Sequence, residues 1–347
     1  MTTSQAWRLD WPGVSPRVGE ACIRAVPEDF FVAEQLDWPD PAPVAWPDGR
    51  VAGDGAVVPG AGEHLCLLLE KRGDNTDYLA RQLAGLAGCK STDIGYCGMK
   101  DRQAVTRQWF SLWRPGREQE DAALLETLQA EYPQWRILAG RRSARKLRRG
   151  EHQYNHFRLR LTAVQGDRQA IEQALSRVAS EGCPNYFGAQ RFGHHGGNLS
   201  QAVGLAGKRM RGPSQRLGML LSSARAWLFN EILAQRVVAG TWQQRLAGEP
   251  SSTEVTGPLW GDGPGLAGAE QGALELSVVE AHPQLLQVIR QNRMQHDRRP
   301  LVLKPESMGW HWESDGSLVL SFALASGQFA TAVLASVFDI HSPAPPN

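Results

Sequence analysis

This sequence of 347 residues has few cysteines and no long apolar run. Its five cysteines are scattered and odd in number, and none forms a CxxC pair, so we expect neither a disulfide framework nor a cysteine zinc site. No stretch approaches the roughly 20 apolar residues of a membrane span. The start, MTTSQAWRLDWPG, lacks the uninterrupted apolar run of a signal peptide. We therefore expect a cytoplasmic protein with no membrane partner, and no obligate protein partner is evident.

Patterns for metal and nucleotide cofactors are also scarce. His152 and His156 have the spacing of two ligands on a helix. Their segment, HQYNHFRLRL, instead predicts the start of a strand, where that spacing does not direct two imidazoles at one ion. The loop GxxxxGK[ST] does not occur. We expect the glycine-rich string GDGPGLAG at 261–268 neither to have the GxGxxG order nor to precede a helix, so no cofactor loop is predicted. The sequence thus predicts neither a metal nor a cofactor.

Strand-like and helix-like segments alternate along the chain. The apolar run HLCLLLE at 64–70 predicts a buried strand, and FRLRLTAV at 157–164 predicts another. Between them, Asp74, Asn75 and Thr76 are all suited to cap the helix predicted for TDYLARQLAGLAG, which has apolar residues at helical spacing. Residues 119–130 predict a second helix. This alternation favours an α/β or α+β fold over a bundle or a sandwich.

The composition changes near residue 183. There CPNYFGAQRFGHHGGNLS is rich in glycine, helical stretches follow it, and strand-like sequence returns from about 301. A length of 347 residues also favours more than one domain. We expect a first domain made of residues 1–182 and 301–347, interrupted by a second domain at 183–300.

Positive charge is concentrated in one segment, although the net charge of the chain is only +1. The segment from Arg136 to Arg149 is rich in Arg and Lys and contains no acid. Such a run is typical of a phosphate-binding surface; the alternative is a solvated helix face, which usually mixes both signs. Twelve Trp and ten Phe add rings suited to stacking on RNA bases. The phosphate contacts that we expect are Arg141, Arg142, Arg145, Lys146, Arg148 and Arg149.

One carboxylate lies in a setting that suits catalysis. Asp101 is flanked by Lys100 and Arg102, in a predicted loop between two strand-like segments. Neighbouring cations favour the ionised carboxylate, and a carboxylate can act as a nucleophile towards a sugar carbon. The residues alone also fit a solvated turn.

The string GMKDRQAVTRQ resembles the signature of the TruD family of tRNA pseudouridine synthases. The residues that match it are Gly98, Lys100, Asp101, Ala104, Thr106 and Gln108. CPNYFGAQRFGHHGGNL at 183–199 resembles the start of the inserted domain of that family. Further matches are PEDFFVAE at 27–34, Asn75 with Thr76, Asn155 with Phe157, and SGQFAT at 326–331. The resemblance covers nearly the whole chain, in the order of the family.

The resemblance implies an isomerase that converts a uridine of tRNA, expected at position 13, to pseudouridine without a cofactor. It implies an α+β fold, with a mixed-sheet pseudouridine synthase catalytic domain and a smaller inserted α/β domain. Asp101 matches the nucleophile, whose carboxylate either attacks the sugar C1′ or assists formation of a glycal. Arg24 is the expected charge partner of Asp101, although relatives carry Lys at that position.

The resemblance also implies substrate contacts. Phe30, Phe157 and Phe329 match positions where aromatic rings contact the base or its neighbours, and Asn155 matches a position where an amide can bind a uracil edge. The remaining residues that support the motif are Lys100, Thr106, Gln108 and Asn75. For each aromatic ring, a place in the hydrophobic core is the alternative.

Two other function classes remain open from the sequence. A non-catalytic RNA-binding protein would share the basic segment, but it does not require the Lys100-Asp101 motif. A base-modifying enzyme of other chemistry, such as a methyltransferase, would need a cofactor loop. One assay separates the three: incubation of the protein with unmodified tRNA, without cofactor, followed by detection of pseudouridine.

Overall fold

The computed structural model describes residues 7–38, 60–208 and 215–343. These residues form two compact units. We call residues 20–165, 306–327 and 340–347 the sheet unit, and residues 1–19, 166–305 and 328–339 the helical unit. The sequence also predicts a loop, marked by Pro39, Pro41, Pro43 and Pro47 and reaching to about Gly62, which lies mostly outside the described residues. The domain boundaries expected from the sequence stay a prediction.

Within the described residues, the sheet unit is built on a ten-stranded mixed sheet, and end residues of β1, β7 and β14 are counted with the helical unit. Its strands are β1 (Gly19–Cys22), β2 (Phe30–Gln35), β3 (His64–Arg72), β4 (Gly95–Tyr96), β5 (Val105–Trp113), β6 (Arg136–Ser143), β7 (Tyr154–Gly166), β12 (Glu306–Trp312), β13 (Leu318–Ala325) and β14 (Phe338–His341). Its helices are α1 (Thr76–Ala87) and α2 (Asp121–Glu131). The main path of the sheet runs β12-β13-β7-β2-β5-β3-β6, while β1 pairs with β14 and β7, and β4 pairs with β5.

Pairing direction and side-chain pattern explain this sheet. β2 and β5 are parallel, whereas β3 is antiparallel to both β5 and β6. Leu65, Leu67 and Leu69 alternate along β3 and are fully buried in the same cluster as Leu79 and Leu83 of α1. Alternating side chains point to opposite faces of a strand, so this face of β3 is covered by α1.

The predicted capping of α1 is confirmed. Asn75 has extended backbone dihedrals, and its side chain accepts a hydrogen bond from the Tyr78 N–H at 2.8 Å. Gly88 ends the helix with φ of 65°, in the left-handed region that favours glycine. The predicted strands at 64–70 and 157–164 and the helix at 119–130 are also confirmed, as β3, β7 and α2.

The helical unit has its own hydrophobic core. Its helices are α3 (Arg168–Glu181), α4 (Gly197–Val203), α5 (Gln215–Val238), α6 (Ala269–Glu280), α7 (Pro283–Gln291) and α8 (Ala330–Ala335). Its short strands are β8 (Cys183–Pro184), β9 (Thr256–Leu259), β10 (Asp297–Pro300) and β11 (Val302–Leu303). Phe192, Phe229, Ile232 and Leu233 are fully buried in its centre. Among the described residues of the chain, no helix is long and apolar enough to cross a membrane.

Two expectations from the sequence are wrong. The sequence predicts a basic connection between the helix at 119–130 and the strand at 157–164, but part of it forms the strand β6, which pairs with β3. The segment GPGLAG at 263–268 does have the spacing GxGxxG and leads into α6. The strand before it, β9, is antiparallel to β10, whereas the dinucleotide fingerprint belongs to a parallel βαβ unit. The glycine-rich loop therefore gives no support to a methyltransferase.

Candidate active site

Asp101 lies in the connection between the antiparallel strands β4 and β5. Its side chain is 44% exposed, and its Oδ2 lies 2.6 Å from Nη2 of Arg24, whose own side chain is only 8% exposed. The structure thus joins residues from two distant parts of the sequence. The result is an accessible carboxylate beside a buried guanidinium.

The backbone of Arg24 is strained. Its φ of 58° lies in the left-handed region, which is uncommon outside glycine and costs on the order of 1–3 kcal/mol. The guanidinium carbon lies 4.2 Å from the centre of the Phe30 ring, a cation–π distance. The strand β2 that begins at Phe30 therefore helps to hold the cation that contacts Asp101.

Phe30 of β2 and Phe157 of β7 pack together. The rings of Phe30 and Phe157 meet edge to face, with centres 6.1 Å apart, and Phe157 also packs against Phe322 of β13. Phe30 is 5% exposed and Phe157 is 7% exposed. Both rings are therefore part of the sheet core, and Phe30 also contacts Arg24.

Lys100, the residue before Asp101, forms a buried ion pair with Glu34. Nζ of Lys100 is 2.7 Å from Oε1 of Glu34 and 2.7 Å from Oδ1 of Asn155. The Glu34 side chain is fully buried, and that of Lys100 is 6% exposed. Burial raises the pKa of Glu34, while the Lys100 ammonium opposes this shift. Because Lys100 points into the core, the carboxylate that follows it in sequence can remain at the surface.

His152 completes this buried group. Its Nε2 lies 3.0 Å from Nδ2 of Asn155, and burial, together with Lys100, lowers the pKa of His152 to about 4. A neutral imidazole nitrogen can accept the amide hydrogen of Asn155. The Asn155 amide therefore already has a protein partner at each end, with one lone pair and one N–H left for a ligand.

Sequence reasoning assigned no role to Glu34, His152 or the buried Lys71. The available signal was a charged side chain within an apolar segment, as in FFVAE and LCLLLEK. Of the residues expected to support the motif, Gln108 and Thr106 are fully buried in β5, and Asn75 caps α1. Within the described ranges, no three His, Cys, Asp or Glu side chains come together as metal ligands.

The basic segment divides into a buried part and an exposed part. Arg142 is buried and donates to both carboxylate oxygens of Asp121 at 2.7 Å, and to the Arg114 carbonyl at 2.8 Å. The expectation that Arg142 binds phosphate is therefore corrected, because its guanidinium is already used inside the protein. Arg141 stacks on Trp38, with its guanidinium carbon 4.5 Å from the ring centre.

The other predicted phosphate contacts follow β6. Arg145, Arg148 and Arg149 are exposed, and Lys146 is half-buried and donates to the Thr92 carbonyl. Arg149 contacts the Tyr96 hydroxyl at 3.1 Å. The turn after β6 therefore carries the cations that are accessible to a phosphate backbone.

Phe329 belongs to the helical unit, unlike Asp101. It directly precedes α8 and is partly buried; its ring centre lies 5.8 Å from that of Phe187. The Arg299 guanidinium carbon lies 5.9 Å from the same ring. Phe329 therefore has an aromatic and cationic neighbourhood within its own unit.

Comparison with known proteins gives consistent matches. The family model described as tRNA pseudouridine synthase D (TruD) matches residues 15–206. A tRNA pseudouridine synthase D of Marinobacter nauticus is 48% identical over 350 aligned residues, which cover 98% of this chain and 97% of the relative. One from Ectopseudomonas mendocina is 42% identical, with 94% and 95% covered.

The fold has a match among solved structures. The crystal structure of the putative tRNA pseudouridine synthase D from Methanosarcina mazei aligns with a TM-score of 0.64 at 18% identity, over 97% of each chain. At this identity the match concerns the fold, and it agrees with the expected α+β class and mixed sheet.

Proposed function

The chain belongs to the tRNA pseudouridine synthase D family, and we propose from this membership and the surroundings of Asp101 that it converts a uridine at position 13 of tRNA to pseudouridine. The reaction is an isomerisation. The bond from N1 of uracil to C1′ of ribose breaks, a bond from C5 to C1′ forms, and the proton lost from C5 is balanced by one gained at N1. No cofactor is needed, because no atom or electron is gained or lost overall.

The observation that carries the proposal is the contact of Asp101 with Arg24. The carboxylate is accessible, and the buried guanidinium at 2.6 Å fixes its direction. A charged, oriented carboxylate next to the sugar is what nucleophilic catalysis at C1′ requires. The same carboxylate also suits a route through a glycal, so the proposal covers both.

The base must leave the RNA stack to reach this carboxylate. We assign Phe30, Phe157 and Phe329 to contacts with the target base or its neighbours, and Asn155 to a uracil edge. The position of Phe30 beside Arg24 and in contact with Phe157 supports the first part of this assignment. Phosphate contacts are assigned to Arg145, Lys146, Arg148 and Arg149, and to the half-buried Arg141.

The test uses the full chain and an unmodified tRNA transcript. After dialysis against a chelator and return to magnesium, which keeps the tRNA folded, the protein should form pseudouridine at position 13 with no further addition. A transcript with cytidine at position 13 is the matched control and should gain none. Pseudouridine at another position would overturn the assignment of position 13, and no pseudouridine in either transcript would overturn the function.

A further inference from the structure

Thr76 connects the start of α1 to the segment that carries Asp101. Its side chain is fully buried, so it cannot touch a substrate. Its Oγ1 lies 3.0 Å from the backbone nitrogen of Lys100 and 3.0 Å from Oε1 of Gln108. One hydroxyl thus joins a helix, a strand and the peptide unit just before Asp101.

The direction of each hydrogen bond follows from the chemistry of the partners. Nε2 of Gln108 lies 2.6 Å from the Gly98 carbonyl oxygen and 3.3 Å from Oε1 of Glu34, and both of these oxygens accept. The amide nitrogen must therefore face them, and Oε1 of Gln108 must accept. The Thr76 hydroxyl then donates to Gln108, and its lone pair accepts the Lys100 N–H.

These bonds hold the nucleophile segment on both sides of Met99. The Gly98 carbonyl is held by Gln108, and the Lys100 N–H is held by Thr76. The Lys100 side chain is in turn held by Glu34 in the core. With the peptide units before it fixed in this way, Asp101 has little freedom to move its carboxylate away from Arg24.

We propose that Thr76 is a positioning residue for the Asp101 carboxylate, through the hydrogen bonds of its hydroxyl to Lys100 and Gln108. This inference rests on the proposed function. Thr76 contributes no group to the reaction and makes no contact with tRNA. Its loss should therefore slow the chemical step and leave the binding of tRNA unchanged.

The experiment compares two substitutions at one site. Thr76→Val keeps the volume of the side chain and removes the hydroxyl, whereas Thr76→Ser keeps the hydroxyl. With enzyme in excess over tRNA, Thr76→Val should lower the single-turnover rate about 10- to 100-fold, the scale of loss that follows a small misplacement of a reacting group. Thr76→Ser should recover most of the rate, and the Kd for tRNA should not change in either variant.

Ser111→Ala is the matched control. Ser111 is also fully buried in the sheet unit, and its hydroxyl accepts a backbone N–H, that of Leu147, at 2.9 Å. Among the described residues, its hydroxyl makes no hydrogen bond to residues 98–101. Its loss should lower the melting temperature about as much as Thr76→Val does and leave the single-turnover rate near that of the wild type.

The outcomes separate the two proposals. A wild-type protein that forms no pseudouridine overturns the function. An active wild type with an equally active Thr76→Val, or with Thr76→Ser as slow as Thr76→Val, overturns the positioning role alone. Should Thr76→Val not fold, Gln108→Met tests the same connection, because it removes the three amide contacts to Thr76, Gly98 and Glu34. It should show the same loss of rate at unchanged Kd, and a wild-type rate in Gln108→Met overturns the role.

Discussion

The Asp101 side chain supplies the negative charge on which the proposed reaction depends. Asn has nearly the same shape but no charge, so Asp101→Asn should abolish pseudouridine formation. The affinity for tRNA should stay within a few fold of the wild type, because one carboxylate contributes little to binding a polyanion. Single-turnover assays and Kd measurements on the same preparation check both parts.

Asp93→Asn is a suitable control for this substitution. Asp93 lies in the same unit, and its carboxylate accepts the Lys90 N–H at 3.2 Å, which an Asn oxygen can also do. The control should be as active as the wild type. Turnover near the wild-type rate in Asp101→Asn would exclude Asp101 as the nucleophile.

Burial destabilises the charged form of Lys71. Its ammonium is buried and donates to the Asp74 carbonyl at 2.5 Å. Burial is the main reason why the pKa of Lys71 falls from 10.5 to about 8; Asp74 and Asp101 oppose this shift, and Lys100 adds to it. Folding therefore costs more when Lys71 is protonated than when it is neutral.

This shift predicts a pH dependence of stability with a definite sign. Below pH 8 the folded and unfolded chains both hold the proton, and the cost of burying it is fully present. Between pH 8 and 10.5 the folded chain releases the proton first, so the Lys71 contribution to the free energy of unfolding rises with pH. Urea unfolding should show the wild type gaining stability relative to Lys71→Met over this range. A difference that does not change with pH would contradict the buried ammonium.

At the scale of elements, the arginines of β6 and those of the turn after it differ in burial and in their partners. Arg142, within the strand, is paired with Asp121 in the interior, while Arg145 and Arg148 in the turn are exposed. Arg145→Ala combined with Arg148→Ala should lower the slope of log affinity for tRNA against log salt by about 0.7 to 0.9 for each phosphate that no longer meets a cation. Binding titrations at several salt concentrations measure this slope.

Arg142→Ala provides the contrast within the same segment. It leaves the buried Asp121 carboxylate without its main partner, and removing one member of a buried pair typically costs about 3–5 kcal/mol. The variant should lose stability in urea unfolding and keep the wild-type salt slope. An unchanged slope in the Arg145 and Arg148 double variant would instead support a solvated surface with no phosphate contact.

At the scale of the whole molecule, Phe329 is the proposed base contact that belongs to the helical unit. If Phe329 stacks on a nucleotide, Phe329→Ala should weaken productive binding or turnover by roughly 1 to 3 kcal/mol, the usual range for a base on an aromatic ring. Its melting temperature should change little, because the ring is only partly buried.

A purely structural role of Phe329 predicts the opposite pair of results for this variant. If Phe329 serves only the packing around Phe187, Phe329→Ala should lose about 3–5 kcal/mol of folding stability and react at the normal rate in its folded fraction. That pair of results would remove Phe329 from the site. Melting temperature and single-turnover rate, measured on one preparation, distinguish the two.

Local sequence determined much of the sheet unit. Alternating leucines specify β3, and Asn75 and Gly88 specify the two ends of α1, because these signals act between residues close in sequence. The motif around Lys100 and Asp101 likewise identified the family and the candidate nucleophile from the sequence alone. The sequence did not predict the strand β6, because its arginines interrupt the apolar pattern of a strand. The segment nevertheless pairs with β3.

Tertiary structure decided which charges are buried and with what partners. Glu34 meets Lys100, and Thr76 meets Gln108, across separations that no local pattern records. Arg142 reads in the sequence as one more cation of a basic run, yet Asp121 takes it out of solvent. The reason is physical: the cost of burying a charge depends on the groups around it, and only the folded chain brings those groups together.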